Sequence, residues 1–244
     1  IPSLPQVTVL FQRTADITSK VDEGSADMGI VGLDRFLELR KEGGSSLLIM
    51  QDLGFGNCDL VLGVPDSWVD VTSTADLADL PAEFREQGKD LRIATKYPHL
   101  VERFMYRRGV NYFTLVPASG AIEAAPSVGF ADAVADISSS GITLKENRLK
   151  TLEDGLILSS QACLIGNREM LSRDRSKLED ARVMIERIEA HMRAQEYSRI
   201  TANIPGESPE AVAEKLQAKE HLAGLHGPTI SPVYSLDEGE RWFS

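Results

Sequence analysis

An α/β fold of two lobes, followed by a small α+β module, is predicted by three features of the chain. Short β-favouring runs alternate with helical patterns, at a spacing tight enough for parallel pairing across a crossover helix. A short echo, Gly24-Ser25-Ala26-Asp27 and Gly129-Phe130-Ala131-Asp132, marks a helix-to-strand junction in two places. The composition shifts at a charged stretch, Ser172 to Gln195, beyond which the pattern becomes shorter and less regular. The echo has two readings. Glycine ends a helix and aspartate opens a turn in many α/β chains. Alternatively, two similar lobes face a cleft, each sending a strand and its following loop towards a ligand; Asp34 and Asp136 then fall at the carboxyl ends of strands, where open α/β sheets bind.

Taken in order, Val7 to Phe11 reads as a strand, Ala15 to Glu23 as a helix with Ile17 and Val21 on one face, and Gly24 as its stop. Met28 to Gly32 is a short apolar strand, and Asp34 to Arg40 opens the next helix. Leu47–Asp52 and Asp59–Pro65 are strands, the second stopped by its proline. A polar stretch over 66–90 holds loop and helix. Leu91–Thr95 is a strand, Pro98–Arg108 a helix, Tyr112–Pro117 a strand, Ala121–Val128 a helix and Ala133–Ile137 a strand. One or two strands follow over Gly155–Gly166, then the long charged helix Ser172–Gln195, whose apolar stripe is Leu178, Val183, Ile185, Ile188 and Met192. The last module is read as strand Tyr197–Ile204, helix Pro209–Ala218, a Gly/Pro link at Gly224–Pro228, strand Thr229–Ser235 and a strand beginning at Arg241.

Composition narrows the function classes. At 244 residues, with 42% hydrophobic and 26% charged residues, the chain is a globular one of one to two domains. Its 26 Lys+Arg against 37 Asp+Glu give a net charge of -11, which repels phosphate backbones and argues against nucleic-acid binding. A small phosphorylated ligand at one local positive site stays compatible. Two cysteines, Cys58 and Cys163, make neither a disulfide framework nor a metal cluster, so a reducing, cytoplasmic compartment is expected. No run approaches the ~18 apolar residues of a membrane helix. Ile1-Pro2-Ser3-Leu4-Pro5 is no signal peptide and carries no initiating methionine, and the chain ends inside the last expected strand; a fragment is expected.

Chemistry concentrates in Glu123–Leu144. A strand ending in Asp136 runs into a turn of small residues, Ser138-Ser139-Ser140-Gly141, and then Thr143. Small side chains let backbone N–H groups approach an anion, and the hydroxyls of Ser139, Ser140 and Thr143 add donors. A helix opening at Thr143 would add its dipole. Asp136 suits accepting ribose hydroxyls, with magnesium an indirect partner. The plain alternative is a Ser/Gly turn with no ligand. Neither a Walker loop nor a GxGxxG turn is present.

The whole stretch, with Glu123, Gly129, Ala131, Asp136, Ser140, Gly141, Thr143 and Leu144 at their spacings, resembles the signature of the ATP phosphoribosyltransferase family. Gly24–Asp34 resembles the family's first-lobe motif, Leu91–Pro98 a strand of the other lobe, and Thr143–Lys150 the segment after the phosphate loop. Ile188–His191 and Gly224–Tyr234 resemble the long, plant-like form with a C-terminal regulatory domain. The first-lobe motif is shared with type II solute-binding proteins; the signature is the specific part.

The resemblance implies a catalytic domain like a type II periplasmic-binding protein, with residues 1–58 and 156–195 in one lobe and 59–155 in the other. Residues 196–244 would be part of a ferredoxin-like α+β domain that senses histidine. The expected fragment lacks an earlier strand with its basic Gly-Arg loop and the end of the regulatory domain. The implied reaction opens histidine biosynthesis, a pentosyl transfer joining ATP to phosphoribosyl pyrophosphate with Mg2+. Asp136, Ser138, Ser139, Ser140, Gly141 and Thr143 would hold the ribose and 5-phosphate. No catalytic base and no metal ligand is assigned. The implied partners are ATP, phosphoribosyl pyrophosphate, histidine as inhibitor and further copies of the chain, a hexamer in long-form relatives. A plant source would move the location to the plastid.

Five further residues are candidates for substrate binding, each beside a plainer role. Glu123 sits in the signature or is a surface glutamate; Asp132 serves the site or caps a turn. Arg13 and Lys96 are cations for pyrophosphate or ATP phosphates, or are simply solvated. Asp34 faces the cleft from the first lobe. The histidines form no metal-spaced set. The alternatives from other classes are a type II solute-binding module for a small anion or amino acid, and a histidine-sensing regulatory subunit without turnover.

Overall fold

The computed structural model describes residues 4–86, 88–118, 120–139, 141–195, 198, 200–219, 228–233 and 241–244. It divides into two compact units, Ile1–Met192 and Arg193–Ser244. The first unit holds two sheets. In the smaller, β1 (Met28–Gly32) and β2 (Ser46–Met50) flank β8 (Ala162–Asn167), giving the order β1-β8-β2. Both outer strands run antiparallel to β8, so β1 and β2 are parallel but not neighbours. The parallel pairing expected here is corrected: the returning strand, apolar on both faces, inserts between them.

The burial of β8 shows why. Cys163 and Ile165 face a core with Val21, Val31, Leu33 and Phe36 from α1 (Thr14–Asp22), β1 and α2 (Leu33–Leu39). Ala162 and Leu164 face the other way, where Ile185, Ile188 and Met192 of α7 (Arg175–Gln195) cover the sheet. The helix expected over Ser172–Gln195 is two: α6 (Arg168–Arg173), capped by Asn167, and then α7. Asp174 separates them, its carboxylate accepting the Ser176 N–H at 2.9 Å to start α7. Val7–Phe11 is also corrected. No β-ladder among the described residues includes it, and Phe11 is 94% exposed; β propensity becomes a strand only where another strand pairs with it.

The larger sheet has five strands, adding β3 (Cys58–Pro65), β4 (Leu91–Thr95), β5 (Phe113–Pro117), β6 (Ala133–Ser138) and β7 (Leu149–Ser160) in the order β5-β4-β6-β3-β7. β4 is parallel to both β5 and β6, with Thr95 beside Ala135 in register. β3 runs antiparallel to β6 and β7. Residues 156–160, expected with the first lobe, pair with β3 in this sheet. One face packs on α3 (Thr74–Glu86) and α4 (Pro98–Arg107) through Leu77, Leu100, Val101 and Met105. The other carries Ile122, Ala125 and Leu144 from a 3-10 turn, its following residues and α5 (Ile142–Glu146). The helix expected over Ala121–Val128 is therefore only the turn Ile122–Ala124: Pro126 removes an amide donor, and Ala121 before the turn is left-handed at φ 46°.

Two crossings join the sheets: residues 51–57, and Gln161 alone between β7 and β8. The Gln161 side-chain amide donates to the Gln51 carbonyl at 2.8 Å, and the Ala162 N–H donates to Phe55 at 2.9 Å, tying the crossings together.

The second unit, taken by itself, has α8 (Pro209–Gln217), capped by Ser208, and three short antiparallel strands. These are β9 (Ile204–Pro205), β10 (Pro232–Val233) and β11 (Trp242–Phe243), with β11 in the middle. Val212 and Phe243 are buried. The strands expected over Tyr197–Ile204 and Thr229–Ser235 are realised only at these positions; Tyr197, Ser235 and most of the Gly224–Pro228 link lie outside the described residues.

Candidate functional site

The carboxyl ends of parallel β4 and β6 define one edge of the larger sheet. Continuing the Thr95–Ala135 register by one step sets Lys96 alongside Asp136. Asp136 is half-buried and, among the described residues, accepts one hydrogen bond, from the adjoining Ile137 N–H at 2.8 Å. Burial pushes its carboxyl above the usual range and Glu123 adds to this, while the Ile137 N–H, Lys96 and Arg35 oppose it. Glu123, from the 3-10 turn, thus joins Asp136 and Lys96 in one electrostatic neighbourhood.

Past Asp136 the chain turns sharply. The Ser138 hydroxyl accepts the Gly141 N–H at 2.9 Å, and Gly141 adopts φ +71°. Nothing lies within 4 Å of where a Cβ on Gly141 would stand, so its backbone conformation, not crowding, calls for glycine there. Ser139 and Thr143 are exposed and Ser138 is half-buried; Ser140 lies outside the described residues. The first amides of α5 have no intrahelical acceptors. With only five residues, α5 supplies a small dipole, so hydroxyls, turn amides and Lys96 are the main polar equipment here.

Three candidates stand elsewhere. Asp132 lies at the opposite end of β6, ~13 Å along the strand from Asp136. There it holds Arg92 through both oxygens, with Nη2 at 2.9 Å and Nε at 3.1 Å. Arg13 is exposed just before α1, and no hydrogen bond or ion pair among the described residues brings it to Asp136. Asp34, expected to face the cleft, is 6% exposed. Its Oδ1 accepts from the Ser160 hydroxyl at 2.7 Å and its Oδ2 from the Tyr97 phenol at 2.8 Å. Its own N–H donates to Ser160 Oγ at 2.9 Å. Gly32 is glycine because a Cβ there would strike the Asp34 carboxylate. Asp34 is corrected to a buried knot between the sheets.

Arg35 and Tyr97 were not singled out from the sequence. The Arg35 guanidinium lies 4.3 Å from the centre of the Tyr97 ring and donates to the Lys96 carbonyl at 3.3 Å. Burial first, then the Asp34 bond, hold the Tyr97 phenol well above its ordinary value, so it remains a donor. Tyr97 was within reach, as it adjoins Lys96 in the quoted Leu91–Pro98 segment. Nothing in the sequence links Arg35 to that segment.

Neither thiol is activated, and the described side chains form no self-contained metal cage. Burial raises both thiols, Cys163 to about 11, so neither is an activated nucleophile. No group of three or more His, Cys, Asp or Glu side chains there could hold a metal ion. No described helix is long and apolar enough to cross a membrane.

The fold and this edge define a class: a two-lobed α/β protein with an open Ser/Gly turn beside a half-buried carboxylate and a lysine. The family model for HisG, ATP phosphoribosyltransferase, matches residues 13–190, and the chain belongs to that family. It is 40% identical over 242 residues to ATP phosphoribosyltransferase 1, chloroplastic, of Arabidopsis thaliana, a match covering 98% of this chain and 58% of that protein. It is 45% identical over 162 residues to an ATP phosphoribosyltransferase of Brucella melitensis biotype 2, covering 66% of this chain and 70% of that one. A solved structure titled ATP phosphoribosyl transferase (HisG:HisZ) complex, from Thermotoga maritima, matches with TM-score 0.58 and 24% identity over 74% of this chain and 77% of that one; this likeness is one of fold. The chain thus spans 58% of the length of its Arabidopsis relative. Family membership does not favour the solute-binding alternative.

Proposed function

We propose that the full-length protein is an ATP phosphoribosyltransferase acting in the first step of L-histidine biosynthesis. The observation that carries this reading is the family match across residues 13–190, which includes the Asp136–Thr143 turn. The adenine N1 of ATP attacks C1 of phosphoribosyl pyrophosphate. The bond from C1 to the pyrophosphate oxygen breaks, and N1-(5-phosphoribosyl)-ATP and pyrophosphate leave.

The residues have distinct parts in this reaction. Ser138, Ser139, Ser140, Gly141 and Thr143 surround the 5-phosphate with hydroxyls and amides. Asp136, with lone pairs to spare, accepts the ribose hydroxyls. Lys96, alongside Asp136 one register step beyond the Thr95–Ala135 pair, faces the departing pyrophosphate charge. Positive charge builds on the ribose ring as the bond breaks, so orientation and electrostatics supply the rate with no dedicated base. Asp136 and Glu123 are the carboxylates that suit a magnesium ion held largely by substrate phosphates. Magnesium would supply neutralisation of the leaving group's charge.

The second unit belongs, on this reading, to a histidine-sensing domain that gives feedback inhibition, in a homo-oligomer. The chloroplastic relatives favour a plastid location. The test is pyrophosphate release by the full-length protein. It should require ATP, phosphoribosyl pyrophosphate and magnesium together, and fall on adding histidine; release independent of either substrate sinks the assignment. Thr143→Ala should raise KM for phosphoribosyl pyrophosphate about tenfold, as for one lost charge-assisted bond, with an unchanged melting temperature. An unchanged KM removes Thr143 from the site.

A further inference from the structure

Helix α4 begins without a cap of its own. Its N-cap residue is Tyr97, whose side chain makes no capping bond, and Pro98 occupies the first turn. The first turn of a helix leaves N–H groups that something must satisfy. Here the acceptor comes from the other sheet's helix. The Glu38 carboxylate of α2 accepts the His99 N–H at 3.0 Å through Oε1 and the Leu100 N–H at 3.0 Å through Oε2. The His99 imidazole Nδ1 stands 2.9 Å from Oε1, but its side chain is 77% exposed whereas that of Glu38 is 2% exposed. The two amides, not a buried ion pair, therefore account for Glu38 being inside. A carboxylate at a helix N-terminus also faces the favourable end of the helix dipole.

The neighbours of Glu38 on α2 point the same way. Asp34 bonds Tyr97, Arg35 lies on the Tyr97 ring and bonds the Lys96 carbonyl, and Glu38 bonds His99 and Leu100. Positions i, i+1 and i+4 of one helix thus grip a single turn, residues 96–100, in the opposite sheet's layer. Lys96 is the first residue of that turn, and continuing the Thr95–Ala135 register by one step sets it alongside Asp136.

We propose that Glu38 is a positioning residue for Lys96: by capping α4 from the opposite lobe it fixes the 96–100 turn, and with it the place of Lys96 beside Asp136. The proposal rests on the phosphoribosyl-transfer reading for what Lys96 does. The cap itself stands on the geometry alone. Glu38 touches no reacting atom. Its effect on turnover passes through Lys96, and this separates it from a residue that merely stabilises the fold.

A double-variant cycle in the full-length protein tests this, with Glu38→Gln, Lys96→Ala and the pair together. Glu38→Gln keeps the shape but cannot offer two carboxylate oxygens to the two amides. It should lower kcat/KM for phosphoribosyl pyrophosphate about tenfold, the scale of one lost charge-assisted bond. Lys96→Ala should lower it about a hundredfold, and the pair no further than Lys96→Ala alone, since residues acting as a unit are not additive. Losses that multiply in the pair, or no loss with Lys96→Ala, overturn the proposal. Hydrogen exchange on the same samples separates it from the reaction assigned above. Faster exchange at His99 and Leu100 in Glu38→Gln, in a protein that turns over no substrate, sinks the reaction and keeps the cap. Unchanged protection there overturns the cap whatever the turnover. Should Glu38→Gln not fold, Glu38→Asp, which keeps the charge and shortens the reach, takes its place.

Discussion

Asp34 and Asp136 each follow one of the two echoed segments, Asp34 in the first turn of α2 and Asp136 within β6, and their surroundings differ in kind. Asp34 is nearly sealed from solvent, and both of its oxygens accept hydrogen bonds, from Ser160 and Tyr97. Asp136 is half-buried, takes one bond from its neighbour's amide, and is pushed towards the protonated form by burial. A carboxylate with its acceptors filled holds structure together. One that is desolvated with lone pairs left over costs stability and keeps capacity for a ligand. The same residue type is therefore saturated in one place and left with spare acceptors in the other, and the partners met across the fold decide which.

The largest expected effect breaks the structural half of that contrast. Asp34→Ala strands the Ser160 and Tyr97 hydroxyls and should cost about 3 kcal/mol. At about 2–4 °C per kcal/mol for a chain of this size, the melting temperature should drop visibly in a thermal scan. A drop no larger than for a surface substitution would remove Asp34 from the knot.

Asp136→Asn probes the other half and should separate activity from stability. The kcat/KM for phosphoribosyl pyrophosphate should fall about a hundredfold, the scale of two weakened charge-assisted bonds, while the variant melts no lower than the parent at neutral pH. The sign follows from linkage. A carboxyl raised in the folded state binds its proton more tightly there than in the unfolded chain, whose value is ~3.9. The parent therefore loses stability as pH rises from that value through the folded-state pKa, and Asn cannot. Melting curves across that window should show the advantage of Asp136→Asn growing with pH; an advantage growing as pH falls contradicts the desolvation account.

The smallest effect sharpens the comparison by asking whether the turn's shape matters apart from the charge beside it. Gly141→Ala meets open space but forces a left-handed conformation at about 1–2 kcal/mol. A modest fall in melting temperature should accompany a rise of about fivefold in KM for phosphoribosyl pyrophosphate, with kcat little changed. An unchanged KM would leave the charge of Asp136 as the feature that matters.

Legibility from the sequence varies by region for physical reasons. The Ser138–Gly141 turn could be read because small residues and a glycine announce their backbone locally. The helix expected over Ala121–Val128 misled because alanines favour helix while Pro126 and the left-handed Ala121 interrupt it. Asp132 could be read either as serving the site or as capping a turn. Only the Arg92 fork on the neighbouring strand shows that its oxygens are taken. Glu38 passed unremarked because the amides it caps stand 61 and 62 positions further on.

The sequence by itself determined the α/β alternation, the break in pattern where a second unit begins, the small-residue turn and the family signature. Each is written in periods and spacings over a few residues, where propensity and turn chemistry act. Only the tertiary structure decided that β8 lies between β1 and β2, that Asp34 is sealed while Asp136 is spare, and that α2 grips the start of α4. Those outcomes depend on which groups meet across long stretches of chain. Burial and the requirement that every buried polar group find a partner settle them, and neither acts until the chain has folded.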